Sequence, residues 1–306
     1  MTGVVNQCSQ GNGPNGQHTA WLQKLGKDLP LAKMYGLMYQ KYNKTEAIRE
    51  LRLKENKIPW DLFRRAFHDI STSPEAFHVL RCTLAVSHAL VSICQYILGI
   101  GDRHLSNFMI NLKTGQMIGI DFGHAFGSAT QFLLIPELMP FRLTKQLRNL
   151  MLPLQVKGLM ESTMVHALRA LREDYDLLLA TMDIFVKEPS VDWLVNAEKQ
   201  IQSLNLGDSL EVENITWYPK EKVHYVKRKL KGENPSYITR DELRLGHSKN
   251  DFLRNFESVV MGERDDTRAQ LPQDSLSVED QVAALIDQAT DPNILGRVYA
   301  GWEPWM

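Results

Sequence analysis

The longest regular apolar pattern in the chain lies between positions 74 and 98 and predicts a helix. Apolar side chains recur there every three or four residues along one stripe, and a second apolar row runs beside it. Ser73 is a favoured N-cap, Pro74 suits the first helical position, and Gly99 can end the helix. Because the apolar arc is so wide, we expect this helix at the centre of its domain. The stripe comprises Phe77, Leu80, Leu84, Val91, Cys94 and Leu98, and the second row comprises Val79, Val86, Leu90, Ile93 and Ile97.

Beyond position 100 the pattern changes from the period of a helix to that of strands. Two short apolar runs, 108–110 and 117–120, flank a polar segment in which Gly115 can take the positive φ that a reversal needs. These runs predict a small β-hairpin. Helical patterns lie on both sides of it, so the predicted fold class is mainly α with a small β-hairpin. The further predicted helices are 45–56, capped by Thr45, and 61–70, 144–152, 162–172 and 175–185.

The region from 203 to 275 is more polar, and its periodicity is weaker. It contains a basic run from Lys220 to Lys231. We interpret this run as the solvated face of a helix. The alternative is a signal for nuclear import or a contact with nucleic acid.

The last thirty residues are periodic again. Ser277 and Asp280 have the spacing of a capping box, an apolar face follows, and Asp291-Pro292 ends the predicted helix. Trp302 and Trp305 then lie close to the last residue. We expect both rings to pack against the rest of the protein, because exposed aromatic pairs promote association.

Composition and charge narrow the class of protein. A chain of 306 residues with 43% hydrophobic residues can bury a sizeable core, which excludes disorder over its whole length. Lys plus Arg number 35 and Asp plus Glu number 36, so no global charge excess draws the protein to nucleic acid or to an anionic membrane. Three cysteines without a CxxC pair predict neither a zinc site nor a disulfide framework. We expect no transmembrane helix, because polar residues interrupt the stretch 85–100, and no signal peptide.

The candidate chemistry lies between the long helix and the end of the hairpin. The loop 101–107 carries Asp102 and, five residues later, Asn107, while Asp121-Phe122-Gly123 follows the second strand. Metal-assisted phosphoryl transfer needs one carboxylate to orient a hydroxyl group and hard oxygen ligands to hold Mg²⁺. Each of these motifs alone is typical of an ordinary turn. Their order, with such short spacings, favours a phosphoryl-transfer site.

The motifs also carry a family resemblance. GDRHxxN at 101–107 followed by DFGHAFG at 121–127 resembles the phosphatidylinositol-3-kinase-like protein kinase family, in which the catalytic loop reads Asp-Arg-His. The stretch QFLLIPELMPFRLT at 131–144 and the C-terminal QATDPNILGRVYAGWEPWM are similar to the protein-kinase branch with its FATC tail. The resemblance implies a protein-kinase-like C-lobe followed by a helical C-terminal FATC segment.

The resemblance implies a role for individual residues as well. Asp102 corresponds to the catalytic base or hydroxyl orienter and His104 to its helper at the transferring phosphate. Asn107 and Asp121 correspond to the ligands of Mg²⁺, and ATP is the implied nucleotide. Met109 and Ile120 fall where such kinases place apolar side chains beneath the adenine. The alternative for these last two positions is a purely structural place in the core of the hairpin.

Domain boundaries follow from the same comparison. Residues 1–17, rich in Gly and Asn, are predicted to be a flexible lead. Residues 18–200 form the predicted kinase C-lobe, with a catalytic loop at 101–107 and an activation loop at 121–142. Residues 201–273 are a polar regulatory or insert region, and residues 274–306 are the FATC segment.

The charge of the activation loop indicates the class of acceptor. From Phe122 to Phe141 the chain has no Lys or Arg, and Glu137 is its only formal charge. An inositol phosphate would find no cation there, so a serine or threonine hydroxyl on a protein fits better. The resemblance implies Ser or Thr followed by Gln as the target. It also implies the Ku heterodimer and DNA ends as partners of the full-length chain, a role in non-homologous end joining, and a nuclear location.

A kinase cleft also needs an upper lobe. The residues before Asp102 contain neither a Gly-rich hairpin nor a strand with the phosphate-binding lysine. We therefore expect this chain to be the C-terminal part of a larger kinase and to be nearly inactive alone. The alternative is a non-catalytic truncated product that acts as a binding or competing module.

Overall fold

The computed structural model describes residues 41–185, 217–247 and 252–306. The predicted flexible lead, 1–17, and residues 201–216 of the polar region lie outside these ranges. Within them the fold is mainly helical, with one antiparallel two-stranded hairpin. The fold class predicted from the sequence is therefore confirmed.

The helices and strands follow one another in this order along the described chain. They are α1 (Lys44–Glu55), α2 (Leu62–Ile70), α3 (Pro74–Leu98), β1 (Phe108–Ile110), β2 (Met117–Gly119), α4 (Ser128–Phe132), α5 (Lys145–Leu150), α6 (Leu159–Glu173), α7 (Tyr175–Phe185), α8 (Trp217–Leu230), α9 (Pro235–His247), α10 (Leu253–Met261), α11 (Thr267–Gln270), α12 (Val278–Thr290) and α13 (Pro292–Leu295). Short 3-10 turns occur at Leu105–Asn107 and Ala300–Trp302.

Helix α3 has the predicted bounds and lies at the centre of the fold. The Ser73 hydroxyl accepts the N–H of Ala76 at its start, and Gly99 ends it with φ +59°. A side chain at Gly99 would also collide with the backbone of Gly127. Both the positive φ and the lack of space therefore require glycine at this position. The length and hydropathy of α3 alone would suit a membrane span. In this fold ten of its residues are buried against other elements, which accounts for its apolar character.

The buried face of α3 differs from the predicted stripe in the last turns of the helix. His88, Ser92 and Gln95 are buried, whereas Cys94 of the predicted stripe is exposed and Leu90 of the second row is 45% exposed. These polar residues face neighbouring elements of the fold instead of solvent. His88 Nε2, for example, donates to the carbonyl of Arg142 at 2.9 Å.

The start of α1 shows a cap that the sequence pattern did not predict. The N-cap is Asn43 and not Thr45. The Asn43 side chain accepts the N–H of Glu46, and the Glu46 carboxylate accepts the N–H of Asn43 in return. This reciprocal capping box satisfies two backbone donors, which explains why the helix begins one residue earlier.

The basic run at 220–231 is a solvated face only in part. Lys220, Lys227 and Lys231 are exposed, as interpreted, but two other lysines of the run are not. Lys222 is 1% exposed and Lys229 is 4% exposed. Lys222 Nζ donates to Gln131 Oε1 at 2.6 Å, and Lys229 Nζ donates to the carbonyl of Tyr96 at 2.8 Å. Burial lowers the pKa of Lys222 to about 8. Two of the lysines therefore join α8 to the core of the lobe.

The C-terminal segment is part of that core. Ser277 caps α12 as predicted, since its hydroxyl accepts the N–H of Asp280. Trp302 and Trp305 are both buried, as predicted, and lie in two different apolar clusters. Arg142 holds this segment through hydrogen bonds to its backbone.

Arg142 is a buried arginine that binds the C-terminal segment through its backbone. Its guanidinium donates to the carbonyls of Trp302, Glu303 and Met306 at 2.6, 2.7 and 3.1 Å. It also lies 4.3 Å from the centre of the Trp302 ring and donates a longer bond, 3.4 Å, to the carbonyl of Arg103. The last residues of the chain thus contact the catalytic loop through one side chain.

Deleting Trp302 to Met306 is expected to lower the melting temperature of this chain, because it removes two buried rings and the carbonyls that Arg142 binds. For a single ring, Trp305→Ala is expected to cost about 3–5 kcal/mol of unfolding free energy, as large-to-small core substitutions do. Chemical denaturation measures this loss of unfolding free energy. The matched control is Trp60→Ala, because Trp60 is 53% exposed. Equal stability of the two variants would show that Trp305 does not pack as described.

The burial of His88 makes the stability of the fold depend on pH. Burial lowers the pKa of the His88 imidazole from 6.5 to about 4. The unfolded chain then binds the proton near pH 6.5 while the folded chain does not, so stability falls as the pH drops from 6.5 towards 4. Between pH 7 and pH 5 this residue should cost about 2 kcal/mol. His88→Gln is expected to flatten that dependence in urea unfolding, whereas the exposed control His166→Gln should not. A profile of His88→Gln that matches the unmodified chain would contradict this assignment.

Candidate active site

Arg103 organises the loop between α3 and β1. Its guanidinium is buried and donates to three carbonyls: that of Gly101 at 2.7 Å, that of Ile120 at 2.8 Å, and that of Asp121. The first belongs to the catalytic loop, and the other two follow β2. A planar guanidinium with several fixed donors suits such a bridge, and a lysine would not replace it. One side chain therefore holds the two halves of the predicted site together.

Asp102 has an unusual backbone conformation. Its φ is +57°, in the left-handed region that a residue other than glycine enters at a cost of about 1–3 kcal/mol. Both of its backbone polar groups are held by side chains. Its N–H donates to Glu137 Oε2 at 2.9 Å, and its carbonyl accepts from Asn107 Nδ2 at 2.7 Å. His104 Nε2 lies 3.8 Å from the carboxylate oxygen Oδ2 of Asp102.

The two predicted Mg²⁺ ligands come from elements that are bonded to each other. The carbonyl of Asn107 accepts the N–H of Ile120 at 3.0 Å, so Asn107 and Asp121 lie on neighbouring strands of backbone. Because the Asn107 amide nitrogen faces a carbonyl acceptor, its oxygen Oδ1 is the atom left for a cation. Asp121 has φ +58°, and its Oδ1 accepts the N–H of Gly123 at 3.1 Å.

This donor set fits a magnesium ion. Mg²⁺ takes hard oxygen ligands and is usually held by one or two carboxylates together with substrate phosphates. One amide oxygen and one carboxylate on bonded segments of backbone meet that requirement. Within the described ranges no group of three or more His, Cys, Asp or Glu side chains forms a metal site of the all-protein kind.

The outer face of the hairpin is apolar and exposed. In the register of the two strands Met109 lies opposite Ile118, and Ile120 continues the same side. These side chains are 47%, 44% and 37% exposed, whereas Phe108, Ile110 and Met117 are buried on the other side. Met109 and Ile120 are therefore not hairpin core, so that alternative was wrong. Ile118, which the sequence analysis did not single out, shares their face.

A cavity of about 320 Å³ opens beside the catalytic loop. Asp102 and His104 line one side, and the activation loop from Leu133 to Glu137 lines another. The third side comes from the C-terminal segment, including Tyr299 and Trp302. Because most of this lining is apolar, the cavity suits an uncharged or apolar group next to the two candidate catalytic residues.

Sequence reasoning missed two residues that hold the site. Arg103 lies inside the quoted motif, but its role as a bridge depends on carbonyls 17 and 18 residues away. Glu137 was noted in the sequence analysis only as the single formal charge between Phe122 and Phe141. It is buried beneath Asp102, and burial raises the pKa of its carboxyl to about 7. An isolated acid in an otherwise apolar loop was the signal that could have identified it.

Two parts of this chain match known protein families. Residues 4–195 match the family model of phosphatidylinositol 3- and 4-kinase, and residues 275–306 match that of the FATC domain. The chain belongs to the phosphatidylinositol 3- and 4-kinase family. The resemblance inferred from the motifs is therefore confirmed, and so is the FATC segment at the C-terminus.

Relatives within this family are named as protein kinases. The chain is 55% identical over 296 residues to the DNA-dependent protein kinase catalytic subunit of Gallus gallus, covering 96% of this chain and 7% of the relative. For the protein of the same name in Mus musculus the identity is 53% over 306 residues, which are 99% of this chain and 7% of the relative. The serine/threonine-protein kinase TEL1 of Saccharomyces cerevisiae is 30% identical over 79% of this chain and 8% of its own length.

A solved structure shows the same fold. The FAT and kinase domain of CtTel1 superposes with a TM-score of 0.58 at 22% identity, over 90% of this chain and 16% of that one. At this identity the likeness concerns the fold alone. The chain spans less than a tenth of the curated relatives named above.

Proposed function

We propose that this chain is the C-lobe and FATC segment of a serine/threonine protein kinase that uses ATP and Mg²⁺. The observation that carries this proposal is the arrangement around Arg103. One buried guanidinium and one backbone hydrogen bond hold the loop of Asp102 and Asn107 against the turn of Asp121. Phosphoryl transfer needs positioned oxygen ligands and a positioned base more than it needs covalent chemistry from the protein.

The residues of the site divide the work as follows. Asn107 Oδ1 and the Asp121 carboxylate would hold Mg²⁺, which when bound offsets the charge on the phosphate oxygens of ATP. Asp102 accepts or orients the proton of the acceptor hydroxyl. His104, beside it, donates a hydrogen bond to the transferring phosphate. Met109 and Ile120, with Ile118, form an apolar floor for the adenine, since they are the exposed face of the hairpin.

A protein acceptor is favoured by the cavity beside Asp102. Lys and Arg are missing from 122–141, and the lining of the cavity is mostly apolar. A phosphorylated lipid headgroup would require cations in that place. A peptide that carries Ser or Thr meets no such requirement. The finer proposal, Ser or Thr followed by Gln, is supported by the similarity to relatives that are named protein kinases.

The cellular role is proposed from the relatives. Those named DNA-dependent protein kinase catalytic subunit are more than half identical to this chain. We therefore propose a nuclear enzyme of DNA double-strand-break repair by non-homologous end joining, with the Ku heterodimer and DNA ends as partners through the full-length chain.

The exposed face formed by Met109, Ile118 and Ile120 is one side of a nucleotide pocket. For this reason we expect the 306-residue chain alone to be nearly inactive.

The test is Asp121→Ala in a chain extended upstream through an N-lobe. Loss of this ligand should lower the rate of phosphoryl transfer to a Ser/Thr peptide by about a thousandfold, because a bound metal stabilises the transition state by several kcal/mol. The readout is incorporation of labelled phosphate at saturating peptide. Asp265→Ala, at an exposed aspartate, is the matched control. Activity within twofold of the parent enzyme would reject the metal assignment and favour a non-catalytic binding module.

A further inference from the structure

Glu137 is a buried acid and the only residue with a formal charge between Phe122 and Phe141. Only 6% of its surface is exposed. Burying a carboxyl group is costly unless its oxygens are hydrogen-bonded, so its place needs an explanation. The backbone of Glu137 is anchored independently, because its carbonyl accepts the Thr130 hydroxyl at 2.8 Å. The side chain is thus free to serve another element.

That element is the catalytic loop. Glu137 Oε2 accepts the backbone N–H of Asp102 at 2.9 Å. Asp102 is in the left-handed region with φ +57°, a conformation that persists only where the surroundings determine it from several sides. Asn107 holds its carbonyl, and Glu137 holds its N–H. Without an acceptor from Glu137, this partly buried residue would lose one of the two side-chain contacts that hold its backbone.

The effect reaches the candidate chemistry because Asp102 and Glu137 line the same cavity. A rotation of the Asp102 backbone would turn its carboxylate within that cavity and change its distance to His104, which is now 3.8 Å. Asp121 would be affected less, since Arg103 holds its carbonyl separately.

From this geometry we infer that Glu137 is a positioning residue, whose carboxylate holds Asp102 in the left-handed conformation that presents its side chain to the acceptor hydroxyl. The inference rests on the proposed kinase function. It assigns to the activation loop a part in placing the catalytic base, in addition to lining the cavity for the acceptor.

Two substitutions separate the reach of the side chain from its charge. Glu137→Gln keeps an oxygen at the same distance from the backbone and removes the charge. Glu137→Asp keeps the charge and withdraws the oxygens by one carbon–carbon bond. In the chain extended through an N-lobe, we expect Glu137→Asp to lower kcat about a hundredfold, the usual effect of a displacement of about 1 Å. Glu137→Gln should retain at least a tenth of the parent kcat. The KM for ATP should stay within threefold for both.

A second buried glutamate, Glu233, provides the matched control. Glu233→Asp shortens another buried glutamate, which pairs with Arg228 away from the catalytic loop, and it should lower the melting temperature without lowering kcat. The inference is overturned if the kcat of Glu137→Asp stays within threefold of the parent value or exceeds that of Glu137→Gln. It is also overturned if Glu233→Asp lowers kcat as much as Glu137→Asp does. The activity of Asp121→Ala is measured in the same assay. If Asp121→Ala is fully active, the kinase proposal itself fails. If Asp121→Ala is inactive while Glu137→Asp stays active, only the role proposed for Glu137 fails.

Discussion

The guanidinium of Arg103 is the interaction on which the rest of the site depends. It is buried, and it donates to carbonyls of the catalytic loop and of the turn after β2. The proposed base Asp102 and the proposed metal ligand Asn107 share one loop, but Asp121 lies on another segment, so no local backbone preference could place all three together. Two of these segments also adopt left-handed conformations, at Asp102 and Asp121. Side chains hold these strained backbones in place: Asn107 and Glu137 bind the backbone of Asp102, and Arg103 binds the carbonyl of Asp121.

The C-terminal segment is joined to the same centre. Arg142 binds three of its carbonyls and also the carbonyl of Arg103. One path from the last residue, Met306, to the catalytic loop therefore passes through this buried side chain. Trp302 extends this path to the cavity beside Asp102. The FATC segment is accordingly a wall of the candidate site as well as a part of the hydrophobic core.

The sequence predicted what depends on neighbouring residues and missed what depends on distant ones. The bounds of α3, the hairpin and the cap of α12 follow from local spacing, and the structure has them. Lys222 and Lys229 were misjudged because their partners lie 91 and 133 residues away. The same reason hid Glu137, which is 35 residues from Asp102. The motif residues were identified because one loop and one short hairpin carry them all, and their roles stay predictions.

The most direct test of the account is a structure of the extended chain, including an N-lobe, with Mg²⁺ and a non-hydrolysable ATP analogue. The quantity to measure is the distance from the metal to its protein ligands. The account predicts Asn107 Oδ1 and a carboxylate oxygen of Asp121 at about 2.1 Å from a magnesium ion, the usual length of such bonds. A metal held by other residues, with Asn107 and Asp121 both beyond bonding distance, would contradict it.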